Sequence, residues 1–158
     1  MLLKVIVCEV TDVAGFAAAQ AGWSALRGRP GFLAQAGGWS DPCTARIVGC
    51  WRDRAALRAF MADGHDAIAA GQRDTFRRAE VHHFQVVRAF GKPFPATLAT
   101  ARIIRFAYGP SHPPADADFV RPGHTLAALL AVADDGQPLA VAACSSGDGV
   151  PLEPAWTV

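Results

Sequence analysis

Apolar and polar positions in the first half of the chain alternate between strand-like and helix-like patterns. Residues 2–10 are rich in Val, Ile and Leu and predict a strand, after which Thr11 and Asp12 mark a helix start. An apolar stripe then recurs every three or four residues, made up of Phe16, Ala19, Trp23 and Leu26. This spacing predicts an amphipathic helix over 13–26 that stops before Gly28.

The alternation continues to residue 90. Two further strands are predicted over 32–39 and 46–51. Asp53 is placed to cap a second helix, whose apolar face is formed by Leu57, Phe60, Met61 and Ile68. Helical structure is expected to continue to about Arg78, and a fourth strand is expected over 81–90.

The order of these elements predicts the fold class. Strand, helix, strand, strand, helix, strand over residues 1–92 is typical of an α+β fold with the ferredoxin-like split βαβ topology. The helices of such a unit cover one face of its sheet, so the other apolar face needs a second cover. We expect another copy of the chain to supply it, which predicts a homodimer.

A change of composition after Phe90 predicts a boundary. Residues 92–95 contain two prolines and form a stiff connector, and residues 96–158 are expected to form a small β-rich C-terminal extension. A hairpin is predicted within it, with strands over 126–133 and 139–144. Trp156 is a candidate anchor for an otherwise irregular tail.

Charge and cysteine usage limit the partners. The 158 residues carry 15 Lys and Arg against 14 Asp and Glu, a formal net charge of +1, so the positive excess typical of nucleic-acid binders is absent. No apolar run approaches the roughly 18 residues of a membrane-spanning helix. The four cysteines show no CxxC spacing. We therefore expect a cytoplasmic protein with reduced thiols that binds neither nucleic acid nor a membrane.

A resemblance to a known family rests on a set of aromatic, glycine and polar positions. They are Trp23, Ser24, Ala25, Leu26, Arg27, Gly28, Gly31, Phe32, Gln35, Gly37, Gly38, Trp39, Gly49, Cys50, Trp51, Phe60, Met61, His65 and Asp66. Over about residues 1–92 the chain resembles the YdbC-like family, a domain of unknown function in the dimeric α+β barrel superfamily that also holds antibiotic biosynthesis monooxygenases. The resemblance implies a dimeric α+β barrel, and its relatives include cofactor-free monooxygenases of aromatic substrates.

His65 is the candidate catalytic residue. It lies four positions after Met61 and eight after Leu57, on the helix stripe that faces the sheet. In the monooxygenase-like relatives a histidine near this point lines the cavity, and a neutral imidazole suits proton abstraction from a phenolic substrate. The alternative is structural: His65 caps or cross-links the interrupted helix, with Asp66 at the surface.

Tryptophans are the candidate ligand contacts. Trp23, Trp39 and Trp51 are candidates for the wall of a pocket for a flat aromatic molecule, with Phe60 beside them, because indole offers a large apolar area and one N–H donor. Gln35 and Arg46 are candidates for polar contacts in that pocket. Core packing of the tryptophans and solvent-facing positions for the two polar residues are the alternatives.

Metals, haem and common cofactors are not expected. His82 and His83 are adjacent on a predicted strand and would point to opposite faces, so they cannot easily bind one ion. Haem-degrading relatives place an iron-ligating histidine about one turn beyond His65, where this chain has Ala69 and Ala70. The sequence contains no GxSxG elbow, Walker loop or dinucleotide-binding glycine motif.

Two functions therefore stand as hypotheses. One is a homodimeric, cofactor-independent monooxygenase of an aromatic or hydrophobic metabolite, with His65 as acid and base. The other is a non-catalytic metabolite-binding or stress-associated protein with the same fold.

Overall fold

The computed structural model describes residues 1–109 and 123–158. The N-terminal segment contains β1 (Leu2–Val10), α1 (Val13–Ala21), β2 (Phe32–Asp41), β3 (Thr44–Trp51), α2 (Arg54–Asp63), α3 (His65–Ala69) and β4 (Phe76–Gly91). The remainder contains α4 (Phe94–Leu98), β5 (Ile103–Tyr108), β6 (Thr125–Ala133), β7 (Pro138–Cys144) and β8 (Val150–Pro151). Short 3-10 turns occupy Gly22–Leu26, Ala70–Thr75 and Pro154–Trp156. No helix in these residues is both long and apolar enough to cross a bilayer.

Local side-chain capping explains where the first helices begin. The Asp12 carboxylate accepts a hydrogen bond from the Gly15 amide at 2.9 Å, and the Asp53 carboxylate accepts one from the Ala56 amide at 2.8 Å. Each bond satisfies an amide that has no partner within the helix. The predicted helix starts are therefore confirmed. Gly64 separates α2 from α3 with a backbone φ of −147°.

The prediction that helical structure continues to Arg78 is wrong. After Thr75 the chain enters β4, five residues before the predicted strand start. Phe76 pairs with Val10, and the Arg77 guanidinium lies 2.7 Å from the Glu9 carboxylate. Pairing along the whole of β1 therefore overrides the helical spacing of this segment.

The connector after β4 contains a helix that the sequence analysis missed. α4 begins beside Pro93, which fixes φ near the helical value without needing an amide donor. Phe94 and Leu98 lie on one face of this short helix and are fully buried. The prolines that predicted a stiff connector thus serve as a helix start.

The eight strands of residues 1–109 and 123–158 form one antiparallel sheet in the order β2-β3-β1-β4-β6-β7-β5-β8. The first four strands have the order expected for a split βαβ unit. β4 continues the sheet into the C-terminal segment, pairing from Phe84↔Ala133 to Gly91↔Ala127. The hairpin predicted within that segment is confirmed, since β6 and β7 pair from Thr125↔Cys144 to Val132↔Pro138.

The C-terminal residues connect the two ends of the strand order. β8 pairs with β5, and the Glu153 amide donates to the Gly37 carbonyl of β2 at 2.8 Å. Gln35 and Val158 exchange two backbone hydrogen bonds of 3.0 and 2.9 Å. A Cβ at Gly38 would collide with the Pro151 carbonyl, so glycine permits this close approach. Strand β2 therefore has backbone partners on both sides.

The sheet face away from α1 and α2 is covered by the same chain. Residues from both segments share one core, including Leu3, Val5, Ala36, Val48 and Phe84 from the first and Leu98, Ile104, Leu129, Leu139 and Val141 from the second. Residues 96–158 therefore bury the apolar face that the sequence analysis assigned to a second copy. A homodimer stays a prediction, and it would need a different surface.

Trp156 anchors the tail to the helical side of the sheet. It is 2% exposed, and its ring centroid lies 5.8 Å from Phe16 and 5.2 Å from Trp39. The role suggested for this tryptophan by the sequence is confirmed. Its packing explains why a segment with little regular structure holds a fixed position beside β2.

The shared core predicts that single changes in residues 96–158 destabilise the whole chain. Leu129→Ala and Leu139→Ala each remove a fully buried side chain and should lower the free energy of unfolding by about 2–5 kcal/mol. Urea denaturation measures this loss. Leu33→Ala, at a side chain that is 44% exposed, is the control and should change it by about 0.5 kcal/mol or less. Equal small losses in all three variants would contradict the contribution of these two leucines to the shared core.

Candidate functional site

A small cavity lies between the helices and the first three strands. Its volume is about 40 Å³, and four of the predicted ligand contacts line it: Trp23, Gln35, Trp51 and Phe60. An apolar cavity that accepts benzene measures about 150 Å³. The cavity therefore has room for water-sized molecules and none for an aromatic ring.

Ring packing fixes one wall of this cavity. Trp51 and Phe60 are stacked, with centroids 5.2 Å apart and planes inclined by 26°. Trp23 meets Phe60 edge-on at 6.4 Å. His65 contacts both rings from the far side, at 5.7 Å from Trp23 and 5.9 Å from Phe60. These rings form a partition, which we call the aromatic wall, with His65 on the side away from the cavity.

A buried hydrogen-bond chain holds the wall in place. The Trp23 indole donates to the Gln72 side-chain oxygen at 2.9 Å, and the Gln72 amide donates to the Gln20 oxygen at 2.7 Å. The Thr75 hydroxyl donates to the Gln72 carbonyl at 2.7 Å. Sequence reasoning missed both glutamines. Gln20 was detectable, because it lies four residues after Phe16 and thus on the buried stripe of α1.

Gln35 brings an unsatisfied donor to the same cavity. The residue is 5% exposed, and its side-chain nitrogen has no hydrogen-bond partner among the described residues. Leaving such a donor unpaired costs about 1–3 kcal/mol. The Gln35 side chain lines the cavity, which has room for a water-sized hydrogen-bond partner.

A larger open cleft lies on the other side of the aromatic wall. Its volume is about 440 Å³, and its lining contains four apolar and five basic side chains. The apolar group consists of Leu2, Leu57, Met61 and Val81, and the basic group of Lys4, Arg54, Arg58, His65 and His83. This cleft has the size and apolar surface for a small organic ligand.

Lys4 lines both the cavity and the cleft. It is 8% exposed, and its ammonium contacts the Met61 sulfur at 3.8 Å. Burial lowers the pKa of Lys4, and the nearby Cys8 raises it in part. No periodic pattern marks this lysine as a site residue, because it interrupts an otherwise apolar strand.

The buried thiols are poor nucleophiles. Burial raises the pKa of Cys8 to about 11 and that of Cys50 to about 12. Both are therefore protonated near neutral pH, and the thiolate is the reactive form. All four cysteines are free.

His65 forms a hydrogen bond with Asp66 at the rim of the cleft. Its Nδ1 atom lies 3.1 Å from the Asp66 carboxylate, and the His65 side chain is 22% exposed. The hydrogen bond to His65 lowers the pKa of the Asp66 carboxyl, and Arg73, at 3.7 Å, lowers it further. No side-chain cap begins α3, so His65 does not act as a helix cap.

Trp39 and Arg46 lie apart from this site. Trp39 packs against Phe16, at 5.8 Å, and Trp156. Arg46 is on the opposite face of β3, with its guanidinium carbon 6.0 Å from the Phe106 ring centroid. Alternation along a strand explains the separation, because Arg46 points away from the face that carries Trp51.

The two adjacent histidines of β4 also separate. His83 lies opposite Lys4 and lines the cleft, whereas His82 lies opposite Val5 and its Nε2 is 3.7 Å from Glu80. Among residues 1–109 and 123–158, no group of three or more His, Cys, Asp or Glu side chains has metal-binding geometry.

The hydrogen-bond chain predicts the cost of altering Gln72. Gln72→Met keeps much of the volume but leaves the Trp23 donor and the Gln20 acceptor unsatisfied. The free energy of unfolding should fall by about 1–3 kcal/mol, measured by urea denaturation. Gln137→Met, at an exposed turn position, is the matched control and should change little. A loss no larger than that of the control would contradict a structural role for the chain.

The position of His83 predicts a pH dependence of stability. Burial, followed by the positive charges of Lys4 and Arg54, lowers the pKa of His83; Asp134 raises it and His82 lowers it to a smaller extent. The folded chain therefore takes up this proton at lower pH than the unfolded chain does. The stability that neutral His83 contributes is present at pH values above the ordinary pKa of histidine. It is lost as the pH falls through the lower pKa that His83 has in the folded chain.

His83→Gln should reduce the fall in unfolding free energy between about pH 7.5 and about pH 5.5. Urea denaturation at both pH values measures the difference. His82→Gln, on the opposite face of β4, provides the control. An unchanged pH dependence in His83→Gln would contradict the prediction.

Three solved structures share this fold. A "Putative monooxygenase" from Fusobacterium nucleatum has a TM-score of 0.65 and 14% identity, covering 92% of this chain and 76% of that one. Another from Lactobacillus acidophilus has a TM-score of 0.65 and 11% identity, covering 92% and 77%. An anthrone oxidase-like protein has a TM-score of 0.64 and 10% identity, covering 98% and 75%. Identities this low show the fold alone.

Sequence comparison identifies a nearer relative and a family. The uncharacterized protein YdbC of Bacillus subtilis is 43% identical over 74 residues, a match that covers 43% of this chain and 62% of the relative. The chain thus spans less than two thirds of that relative's length. Residues 2–84 match the family described as a domain of unknown function, DUF4937. Because this match takes in more than half of the 158 residues, the chain belongs to the DUF4937 family.

Proposed function

We propose that this chain binds a small hydrophobic or aromatic molecule in the cleft beside His65 and oxidises it as a cofactor-independent monooxygenase. The single observation that carries the proposal is the placement of His65, which lines the 440 Å³ cleft and whose ring contacts Trp23 and Phe60 of the aromatic wall. The monooxygenase names of the structural neighbours support the reaction class. This support rests on the shared fold, and the same fold also occurs in proteins that catalyse other reactions.

The proposal includes a finer view of the fold. The first four strands form a ferredoxin-like split βαβ unit, and β5–β8 with α4 take the place that a second subunit occupies in a dimeric α+β barrel. The backbone contacts of residues 150–158 with β2 and β5 support this closure. A homodimer and a cytoplasmic location stay predictions of the sequence, and the proposed site depends on neither.

The cleft, and not the smaller cavity, is the proposed ligand site. The cavity of about 40 Å³ cannot take an aromatic ring, whereas the cleft can. Leu2, Met61 and Val81 offer apolar surface to the ligand, and Met61 is flexible enough to adapt to different shapes. Trp23, Trp51 and Phe60 then support the site from behind and do not contact the ligand.

His65 acts as a general base in this scheme. Nδ1 donates to Asp66, so the lone pair of Nε2 remains to accept a proton from an acidic C–H or phenolic O–H group. The resulting substrate anion reduces dioxygen. For a CH2 group, one oxygen atom becomes the new carbonyl, the other leaves as water with the two hydrogens, and no external reductant is needed.

A non-catalytic ligand-binding protein is the second candidate. The observation that favours it is the exposure of Asp66, whose side chain is 81% accessible. Solvent screens an exposed carboxylate, so Asp66 orients His65 less firmly than a buried carboxylate would. In that case the same cleft holds a metabolite without converting it.

Anthrone is a suitable probe, because its acidic CH2 group becomes a carbonyl on oxidation. We expect the wild-type chain to accelerate dioxygen uptake and anthraquinone formation, and His65→Ala to lose at least about tenfold of that rate through loss of the base. An oxygen electrode and absorbance spectroscopy measure the two quantities. His65→Ala should keep the wild-type melting temperature.

His82→Ala, which removes an imidazole from the opposite face of β4, is the matched control and should keep the full rate. Unaltered turnover in His65→Ala would contradict the assignment of His65 as the general base. Binding of anthrone without conversion by the wild-type chain would favour the non-catalytic candidate.

A further inference from the structure

The cleft beside His65 has a strongly one-sided charge. Lys4, Arg54 and Arg58 line it, and no Asp or Glu side chain belongs to its described lining. The whole chain carries a formal net charge of only +1, so this concentration of positive charge is a local property. Between the cationic groups lies apolar surface from Leu2 and Met61. A ligand that matches the cleft must combine an apolar body with negative charge.

The cations differ in how well the protein itself neutralises them. Arg54 has a partner, since its guanidinium lies 2.6 Å from the Asp134 carboxylate. Lys4 and Arg58 have no ion-pair partner among residues 1–109 and 123–158. The polar contact of Lys4 is with the sulfur of Met61, which is a weak acceptor.

The burial of Lys4 points to a partner from outside the chain. A buried ammonium that has no carboxylate partner carries a desolvation cost that its own contacts do not offset. An apolar residue at this strand position, on the face that carries Leu2 and Ile6, would avoid that cost. Lys4 lines both the cavity and the cleft, so an anion in the cleft would reach it.

We propose that the ligand of this cleft is a small organic anion, an apolar or aromatic body with a carboxylate or comparable acidic group, whose charge pairs with Lys4 and Arg58. The inference rests on the proposed function, because it names the chemical class of ligand for the same site. Lys4 binds the anionic group at the inner end, and Arg58 attracts it from the exposed rim.

The environment of His83 agrees with a positive field in the cleft. This imidazole lies opposite Lys4 on the neighbouring strand, and the charges of Lys4 and Arg54 both disfavour its protonated form. An anion bound between these groups would reverse that effect. The positive charges on β1 and α2 therefore act on a third element, β4, which carries His83.

A matched pair of probes separates the charge from the apolar body. Anilinonaphthalene sulfonate is an aromatic anion, and N-phenyl-1-naphthylamine is its uncharged analogue. We expect the full chain to bind the anion at least about tenfold more tightly at low ionic strength, with the preference reduced by added salt. Fluorescence titration measures both affinities.

Three variants test where the preference arises. Lys4→Met and Arg58→Gln should each weaken binding of the anion about fivefold or more and change binding of the uncharged analogue less than about twofold. Arg58 is exposed, so its variant keeps the fold even if Lys4→Met does not. Arg102→Gln removes the same charge at an exposed position outside the cleft lining and should leave both affinities unchanged.

Met61→Trp fills the cleft and separates the failure of this inference from that of the proposed function. Suppose that Met61→Trp blocks binding of both probes, but the wild-type chain binds the anion and its uncharged analogue equally well. The inference is then overturned, and the cleft remains the ligand site. If Lys4→Met and Arg58→Gln leave the affinity for both probes unchanged, the inference is likewise overturned and the cleft remains the ligand site. If Met61→Trp blocks neither probe, the cleft is not the ligand site, and both proposals fail.

Discussion

The structure depends on the need to cover a sheet that is apolar on both faces. In β1, Leu3 and Val5 point to one side, while Leu2 and Ile6 point to the other. Neither face is stable in water, so each requires a packed layer. Helices α1 and α2 provide one layer, and β5–β8 with α4 provide the other from the same chain. The two segments thus share one core, although their compositions differ.

The candidate site arises where the helical layer ends. Gly64 terminates α2, and the next helical turns pass over the aromatic wall before the chain returns to the sheet at Phe76. Val81, on the helix side of β4, is left 46% exposed. Incomplete cover of a central strand leaves a cleft with an apolar floor, and the helix that borders it contributes arginines. The fold therefore creates the site by leaving a gap in one layer.

Local features of the fold were predictable from the sequence, and long-range ones were not. Asp53 as a helix cap depends on adjacent residues, so its pattern is visible in the sequence. The closure by residues 150–158 depends on β2, more than a hundred positions away, and its hydrogen bonds use backbone atoms that any residue carries. For the site, periodicity placed Trp23 and Phe60 on a buried face. It could not show that Trp39, on the same sheet face, belongs to a separate cluster with Trp156.

Lys4 connects the fold to the proposed ligand. Its ammonium is held at the junction of cavity and cleft, where desolvation makes the charge costly. An apolar residue there would pack as well with the neighbouring aromatic rings, so stability alone does not account for a lysine. An anion that reaches Lys4 offsets the desolvation cost only in the folded chain, because the unfolded chain exposes the ammonium to water. If the ligand is an anion, ligand binding and stability are linked through the Lys4 side chain, and the bound anion stabilises the folded chain.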